Sequence, residues 1–563
     1  MPKLADYYGG RDDPDAILSL RRTIVPSAMV DCNGDLYTVT LWGFGVHGPA
    51  YKLSKLSYQN GVVNSNLSHN YYPFYVAYGD ESPNLDYEPY FEGYDGDQNF
   101  FKNCFHNVFQ PCIMQELNAY SSHIIVFFHV PQVRYIGAHW TSKPDQEGGL
   151  LMKFKKDDFT VQSSGFDNRD EDNRLAAGLT LPNYSRGSGK YSHISTGSFQ
   201  GFHLEENPYY CWLFHTRSST HNMAKNDNLS FDDKTSGIHC IRYSSSSLAR
   251  AGVGEVMINN TYSGMNSCIT LLPRFFQVGN YVYFGTIGGG YWFQLCRIVP
   301  NRTAGDEVGE INPRVCKCKS DSHIEGGEMN ISYSPYNFDF CLLEPDGTPC
   351  SASSPDGHKI LCIFGFRHGT DNAHDWKASY VNWNCSYLVG AVTSFYTEDA
   401  GNNAYGYPSC AIYVTDLRGG TTDCVSITDT TKTELYRPYL NTHKIVPYTS
   451  PSGRHYLIYA YCYPGKKEHL YLGYAQYTID ANYLVRLLTQ TVFKAAGDDG
   501  WGDSFGAFTE CSRIISMDLK NGHLWITFMK DTGIDATDQS AEDKQAAGCY
   551  RYFHILAKDL IQE

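Results

Sequence analysis

No stretch of the chain approaches the eighteen or so consecutive apolar residues of a membrane-spanning helix, so no membrane insertion is expected. The first fifteen residues, MPKLADYYGGRDDPD, are polar and acidic and lack the apolar core of an export signal; a soluble, cytosolically made product is expected. Long stretches rich in Ala, Leu, Glu and Lys are missing, which argues against a helical body. Basic residues are few: Lys and Arg total 45 against 60 Asp and Glu, for a net charge near −15, with no local basic cluster. No nucleic-acid partner is therefore expected. Nor is there a Gly-x-Ser-x-Gly elbow, a phosphate-binding loop or a dinucleotide fingerprint to mark a familiar catalytic scaffold.

What the chain has instead is aromatics, glycine and repetition. Aromatic residues make up 15% of its 563 positions, 44 of them Tyr, and there are 51 Gly. That composition belongs to β-structure. One phrase recurs: an apolar alternating run, a tight turn, a second run, then a third. Its last copy is RIISMDLKNGHLWITF, Arg513 to Phe528, with Asn521-Gly522 at the turn and a third run from Tyr550 to Leu560. Asn-Gly between two apolar runs predicts a type I′ hairpin, because both central positions need a positive φ. The first copy, Ile24 to Trp42, places Asn33-Gly34 at the turn, continues in Tyr51 to Tyr58, and predicts a fourth strand over Tyr71 to Tyr78.

Between these lie His123 to Val130 with Leu150 to Lys155, then Tyr209 to His215 with Ile238 to Tyr243. Arg274 to Ile287 follows, turning at Gly279-Asn280, with Tyr291 to Val299. Lys359 to Phe366 comes next, with a third strand expected at Cys410 to Leu417, and then Tyr456 to Tyr461 with Leu470 to Ile479. Seven copies spaced by roughly 70 to 95 residues predict an all-β fold, a single large β-propeller of about seven four-stranded blades with long loop insertions. Tandem β-sandwiches are the alternative. The resemblance is to propeller architecture; the dipeptides of WD40 repeats and the double glycine of kelch repeats are not present. Residues 1–22 are expected to form an N-terminal arm whose Ala16 to Leu20 segment closes the ring, and 23–563 the propeller itself.

Eighteen cysteines are irregularly spaced. Cys211, Cys296, Cys362, Cys410 and Cys462 fall inside expected strands, where a thiol acts as a small hydrophobe. Cys316-Lys317-Cys318 is a close pair without two further zinc ligands at compatible spacing.

In a four-stranded blade the loop between the second and third strands opens on the same face as the loop between blades. His47, His129, His139, His215, His221, His368 and His374 fall in or beside such loops, and Asp371 and Asp375 join the last two in RHGTDNAHDW. Imidazoles and carboxylates from several blades would suit a transition metal or acid-base work there. Asp498, Asp499, Trp501 and Asp503, set among glycines, suit a sugar site or a calcium ion. No cofactor is otherwise expected. The segment Arg22-Thr23-Ile24-Val25-Pro26 resembles the Arg-Ile-Pro start of sialidases, which implies an arginine for a substrate carboxylate; the Asp-box turns of that family are absent.

Tyr-rich, Asn/Gly/Ser-rich loops suit protein or glycan contacts. The leading expectation is a non-enzymatic structural or adhesion subunit of a large assembly, a virus or phage particle, with other protein subunits as partners. The alternative is a propeller glycoside hydrolase or polysaccharide lyase acting on glycans.

Overall fold

In the computed structural model the described residues are 27–45, 48–71, 111–117, 121–130, 148–162, 178–180, 200–204, 210–217, 237–248, 256–259, 270–288, 292–298, 311–319, 338–366, 382–383, 388–396, 410–414, 425–426, 443–462, 470–479, 481, 485–494, 513–530 and 549–562. The chain divides into two compact units, the first comprising 1–268, 301–308 and 534–548, the second 269–300, 309–533 and 549–563. Among the described residues no helix is long and apolar enough to cross a membrane. The expected arm, residues 1–22, lies outside them.

Among the described residues unit 1 forms three sheets. The first runs β1 (Ser27–Val30), β2 (Leu36–Gly45), β3 (Gly48–Gln59), β4 (Val62–Tyr71). Then come β5 (Pro111–Ile113), β6 (Gln115–Glu116), β7 (His123–Val130), β8 (Gly148–Lys155) and β9 (Gly178–Thr180). The third set is β10 (Gln200–His203), β11 (Tyr210–Arg217), β12 (Gly237–Ser244) and β13 (Val256–Asn259). Sheet two is β5-β7-β8-β9; sheet three is β10 to β13 in order, with β6 added parallel to β10. Thus β6, the continuation of one sheet's first strand, bonds to the first strand of the next.

Unit 2 repeats the pattern. Its strands are β14 (Thr270–Val278), β15 (Tyr281–Gly288), β16 (Trp292–Ile298), β17 (Ile311–Lys319), β18 (Phe338–Leu343), β19 (His358–Phe366), β20 (Asn382–Trp383), β21 (Leu388–Tyr396), β22 (Cys410–Val414) and β23 (Val425–Ser426). They continue with β24 (His443–Thr449), β25 (His455–Cys462), β26 (Leu470–Ile479), β27 (Val485–Lys494), β28 (Arg513–Lys520), β29 (His523–Lys530) and β30 (Cys549–Leu556), and end in helix α1 (Ala557–Ile561). The sheets are β14 to β17, β18-β19-β21-β22, β24 to β27 and β28 to β30, with β20 and β23 pairing separately. The first strands lie side by side in sequence, β14 against β18, β18 against β24, β24 against β28. Consecutive antiparallel meanders packed through their first strands are the blades of a β-propeller, and the fold is all-β of that class.

Packing explains the near-continuous apolar runs. In β29, Leu524, Ile526 and Phe528 point one way and Trp525 and Thr527 the other, yet all five are buried. A sheet covered on both faces needs apolar side chains at every position, not at alternate ones. Val446, Tyr456, Ile458 and Leu472 of one sheet meet Ile514, Leu524, Ile526 and Phe528 of the next, and Ala557, Leu560 and Ile561 of α1 fill the same core. Unit 1 does likewise with Met114, Ile125, Phe127 and Leu151 against Cys211, Leu213 and Tyr243. Each such aliphatic or aromatic side chain contributes about 1.5–3 kcal/mol through burial.

The turns test the sequence reading locally. Asn521 and Gly522 have φ of 49° and 76°, the two positive values a type I′ hairpin requires. At Asn33-Gly34 only Gly34 is positive, and the turn is wider: Asp31 accepts the Asn33 and Asp35 N–H groups through Oδ1, both at 3.0 Å. Two expected strands are corrected. The fourth strand of the first sheet is β4, not Tyr71 to Tyr78; its hairpin is Asn60-Gly61, with φ of 53° and 83°. The third strand of the fifth copy is β21, and Cys410 to Val414 is the fourth. The Gly390-Ala391 pair in β21 dilutes the branched and aromatic run by which a strand is recognised. Cys211, Cys296, Cys362, Cys410 and Cys462 all lie in strands, and Cys211 and Cys362 are buried free thiols. Burial pushes the Cys211 thiol up to about 12, which makes it inert.

Candidate functional site

Antiparallel order fixes where each connection emerges. First-to-second and third-to-fourth connections leave one end of a sheet; second-to-third connections, and those leading to the next sheet, leave the other. From the first end leave the tight hairpins 60–61, 279–280 and 521–522 and the longer connections 156–177, 299–310, 344–357 and 397–409. At the second end of unit 1 lie 72–110, 131–147, 181–199 and 218–236, and at that of unit 2 lie 320–337, 367–387, 415–442 and 495–512.

Of the residues singled out from sequence, His129 and His215 are described, each near the second end of its strand. His129 sits in β7 opposite Gly149, and His215 in β11 opposite His239. His47, His139, His221, His368, Asp371, His374, Asp375, Asp498, Asp499, Trp501 and Asp503 lie outside the described residues. Among the described residues no three His, Cys, Asp or Glu side chains are gathered as a metal would need.

Sequence reasoning missed two buried charge clusters, one in each unit. In unit 1, Lys156 Nζ lies 2.6 Å from Glu116 Oε2 and 3.3 Å from Asp31 Oδ2. All three are almost fully buried. Burial pushes the Glu116 carboxyl up to about 7, against the pull of Lys156 and with the push of Asp31. His203, at the end of β10, is buried beside them, its Nε2 3.3 Å from Ser121 Oγ. Burial, then the charges of Lys156 and Lys153, drive its imidazole down to about 3. Because that value lies below the unfolded one of about 6.5, neutral His203 contributes stability that is present above pH 6.5 and lost as pH falls towards 3. The variant His203→Gln should therefore be penalised most near pH 7 and progressively less towards pH 4, relative to the parent, in thermal melts across pH. A penalty independent of pH would refute this assignment.

In unit 2 the cluster sits on the first strands themselves. Arg274 of β14 donates through Nε to both carboxylate oxygens of Asp339 on β18, at 3.0 and 2.9 Å. Its other nitrogens reach Asp518 of β28 at 3.4 Å and the Met517 carbonyl. Asp339 Oδ2 also accepts the Ile445 N–H of β24 at 2.8 Å, so this carboxylate ties three first strands together. Beside it Lys444 of β24 is fully buried, and its Nζ has no hydrogen-bond partner among the described residues. Burial lowers the Lys444 amine to about 8; Asp339 and Asp518 oppose that shift, and Arg274 reinforces it. A signal was present in the sequence: each of these charged residues interrupts an apolar run, in LLPRFF, FDFCLL, HKIVPY and IISMDL. Its meaning needed the knowledge that all four strands converge.

No protein-family model matches the chain. No curated protein sequence matches it either. Among solved structures, an exo-1,5-alpha-L-arabinanase from a bovine ruminal metagenomic library matches at 10% identity, covering 67% of this chain and 96% of that one, with a TM-score of 0.27. The parainfluenza virus 5 hemagglutinin-neuraminidase matches at 8% identity over 84% of this chain and 95% of that one, TM-score 0.30. The Cellvibrio cellulosa alpha-L-arabinanase matches at 12% identity over 67% and 94%, TM-score 0.25. At these values no residue and no substrate is transferred. The leading expectation from sequence, a non-enzymatic structural subunit of a virus or phage particle, is corrected by this set: two of the three carry the names of glycan-cleaving enzymes, and the viral one is itself a neuraminidase.

Proposed function

We propose that the chain acts on glycans, as a propeller glycoside hydrolase or polysaccharide lyase. One observation carries this reading: the connection 495–512, which leads from β27 to the next sheet at β28, holds Asp498, Asp499, Trp501 and Asp503 among glycines. Carboxylates supply the general acid and base of glycosidic cleavage, and an indole face packs against the apolar face of a sugar ring. Blade strands provide the rigid base and loops the variable contacts, the usual division between scaffold and site.

The experiment is incubation of the protein with a panel of neutral and acidic polysaccharides, following reducing ends for hydrolysis and ultraviolet absorbance of unsaturated uronates for elimination. Turnover of one class is expected, with Asp503→Asn and Trp501→Ala lowering it about 10²-fold or more while the melting temperature stays at the parental value. Absence of both products across the panel, with no binding, would overturn the reading.

A further inference from the structure

The last sheet of unit 2 carries a histidine pair of its own. His523 opens β29 directly after the Asn521-Gly522 hairpin, and His554 lies on β30 opposite Trp525. Alternation puts His523, Trp525, Tyr552 and His554 on one face of the sheet, while Leu524, Ile526 and Phe553 line the core on the other. On that first face His523 Nδ1 and His554 Nε2 stand 3.0 Å apart, with ring centroids at 5.2 Å and planes inclined by 40°. The His554 ring packs on the fully buried Trp525 indole, centroids 4.4 Å apart, and the Ala557 N–H donates to the Gly522 carbonyl at 2.9 Å, tying the end of β30 to the hairpin. The pair is therefore held in place, yet it is not sealed: His523 is half-buried, and Tyr552, two residues from His554 on the same face, is 39% exposed.

We propose that His523 and His554 form a two-histidine site for a divalent transition metal that favours imidazole, Cu²⁺, Ni²⁺ or Zn²⁺, with water or an incoming donor completing the coordination. At metal–nitrogen distances of about 2.0–2.1 Å, two nitrogens on one ion stand about 3 Å apart, the separation the pair already has. Both rings must be neutral to ligate. Burial, then the charge of His523, holds the His554 imidazole down to about 4, so protons do not compete for it at neutral pH. In the neutral pair one proton lies between the facing nitrogens; the ion takes its place, and that proton is bound again at the far nitrogen of the same ring. Lys520 stands opposite His523 and Asp518 opposite Trp525, so the same face brings one charge of each sign to the site. No third His, Cys, Asp or Glu is gathered there among the described residues, which leaves coordination positions open. Nothing in this site depends on the glycan reading.

The test is titration of the intact protein with copper(II) chloride or zinc chloride alone, and with magnesium chloride as control, following tryptophan fluorescence and the melting temperature, with His523→Gln beside the parent. Copper at the pair is expected to quench Trp525, which packs on His554, and zinc to raise the melting temperature saturably. His523→Gln should weaken both responses about tenfold or more, because losing even an outer-shell partner costs a metal site about 10–100-fold. Parental titration curves in His523→Gln, or no saturable response of the parent to either ion, overturn the site. So does an equal response to magnesium, an ion that takes oxygen ligands. Should His523→Gln melt much lower without metal, His554→Gln decides instead: about tenfold weaker binding supports the site, and unchanged binding ends it.

Discussion

Replacing Arg274 with methionine is expected to destabilise the protein by about 3–5 kcal/mol, the range for breaking a buried ion pair from one side. The size follows from what Asp339 is left with. Its carboxylate is fully buried, and Arg274 supplies two of its hydrogen bonds while the Ile445 N–H supplies another. Without the guanidinium, the charge keeps one backbone donor and the partnerless ammonium of Lys444 nearby, and three first strands lose the side chain that bridges β14 to β18 and β28. Urea unfolding of Arg274→Met should show the loss. The double variant Arg274→Met/Asp339→Leu should recover most of it, because exchanging a buried pair for apolar groups of similar volume is often neutral. A loss under 1 kcal/mol in the single variant would mean that this cluster does not hold the strands together.

Lys156→Met in unit 1 should cost a similar amount, about 3–5 kcal/mol, with a penalty that varies with pH. Glu116 already titrates near 7 in the folded chain, above its ordinary value. Between those values the folded state binds the extra proton, so this group's contribution falls as pH rises through the window. Removing Lys156 removes the charge that lowers the Glu116 value and leaves Asp31, which raises it. The penalty for Lys156→Met should therefore be small near pH 5, where Glu116 is protonated, and grow to its full size by about pH 8. Melts at those two pH values check it, and a penalty larger at the acid end would contradict the assignment of Glu116 as the responsive group.

Much of the architecture was legible because blade physics is local. A strand buried on both faces writes an unbroken apolar run, as in HLWITFMK, and a two-residue hairpin writes Asn-Gly. Where these signals weakened, the reading slipped. The polar outer strand β4, VVNSNLSHNY, has no apolar run to follow, so the Asn60-Gly61 turn before it stands beside an apolar run on one side only. First strands such as β5 and β18 are only three and six residues long, too short for a period to emerge.

The site was less legible. Histidines and carboxylates in loops were conspicuous by residue type, whereas Arg274, Asp339, Lys444 and Asp518 read as isolated charges within strands up to 244 positions apart. Composition and periodicity by themselves determined that the chain is all-β, repetitive and built from hairpin-linked meanders, because strand burial and turn geometry are encoded by neighbouring residues. Only the tertiary structure decided which charges meet. That is set by the packing of first strands against one another, and whether a lysine finds a carboxylate depends on partners that no local pattern in the chain records.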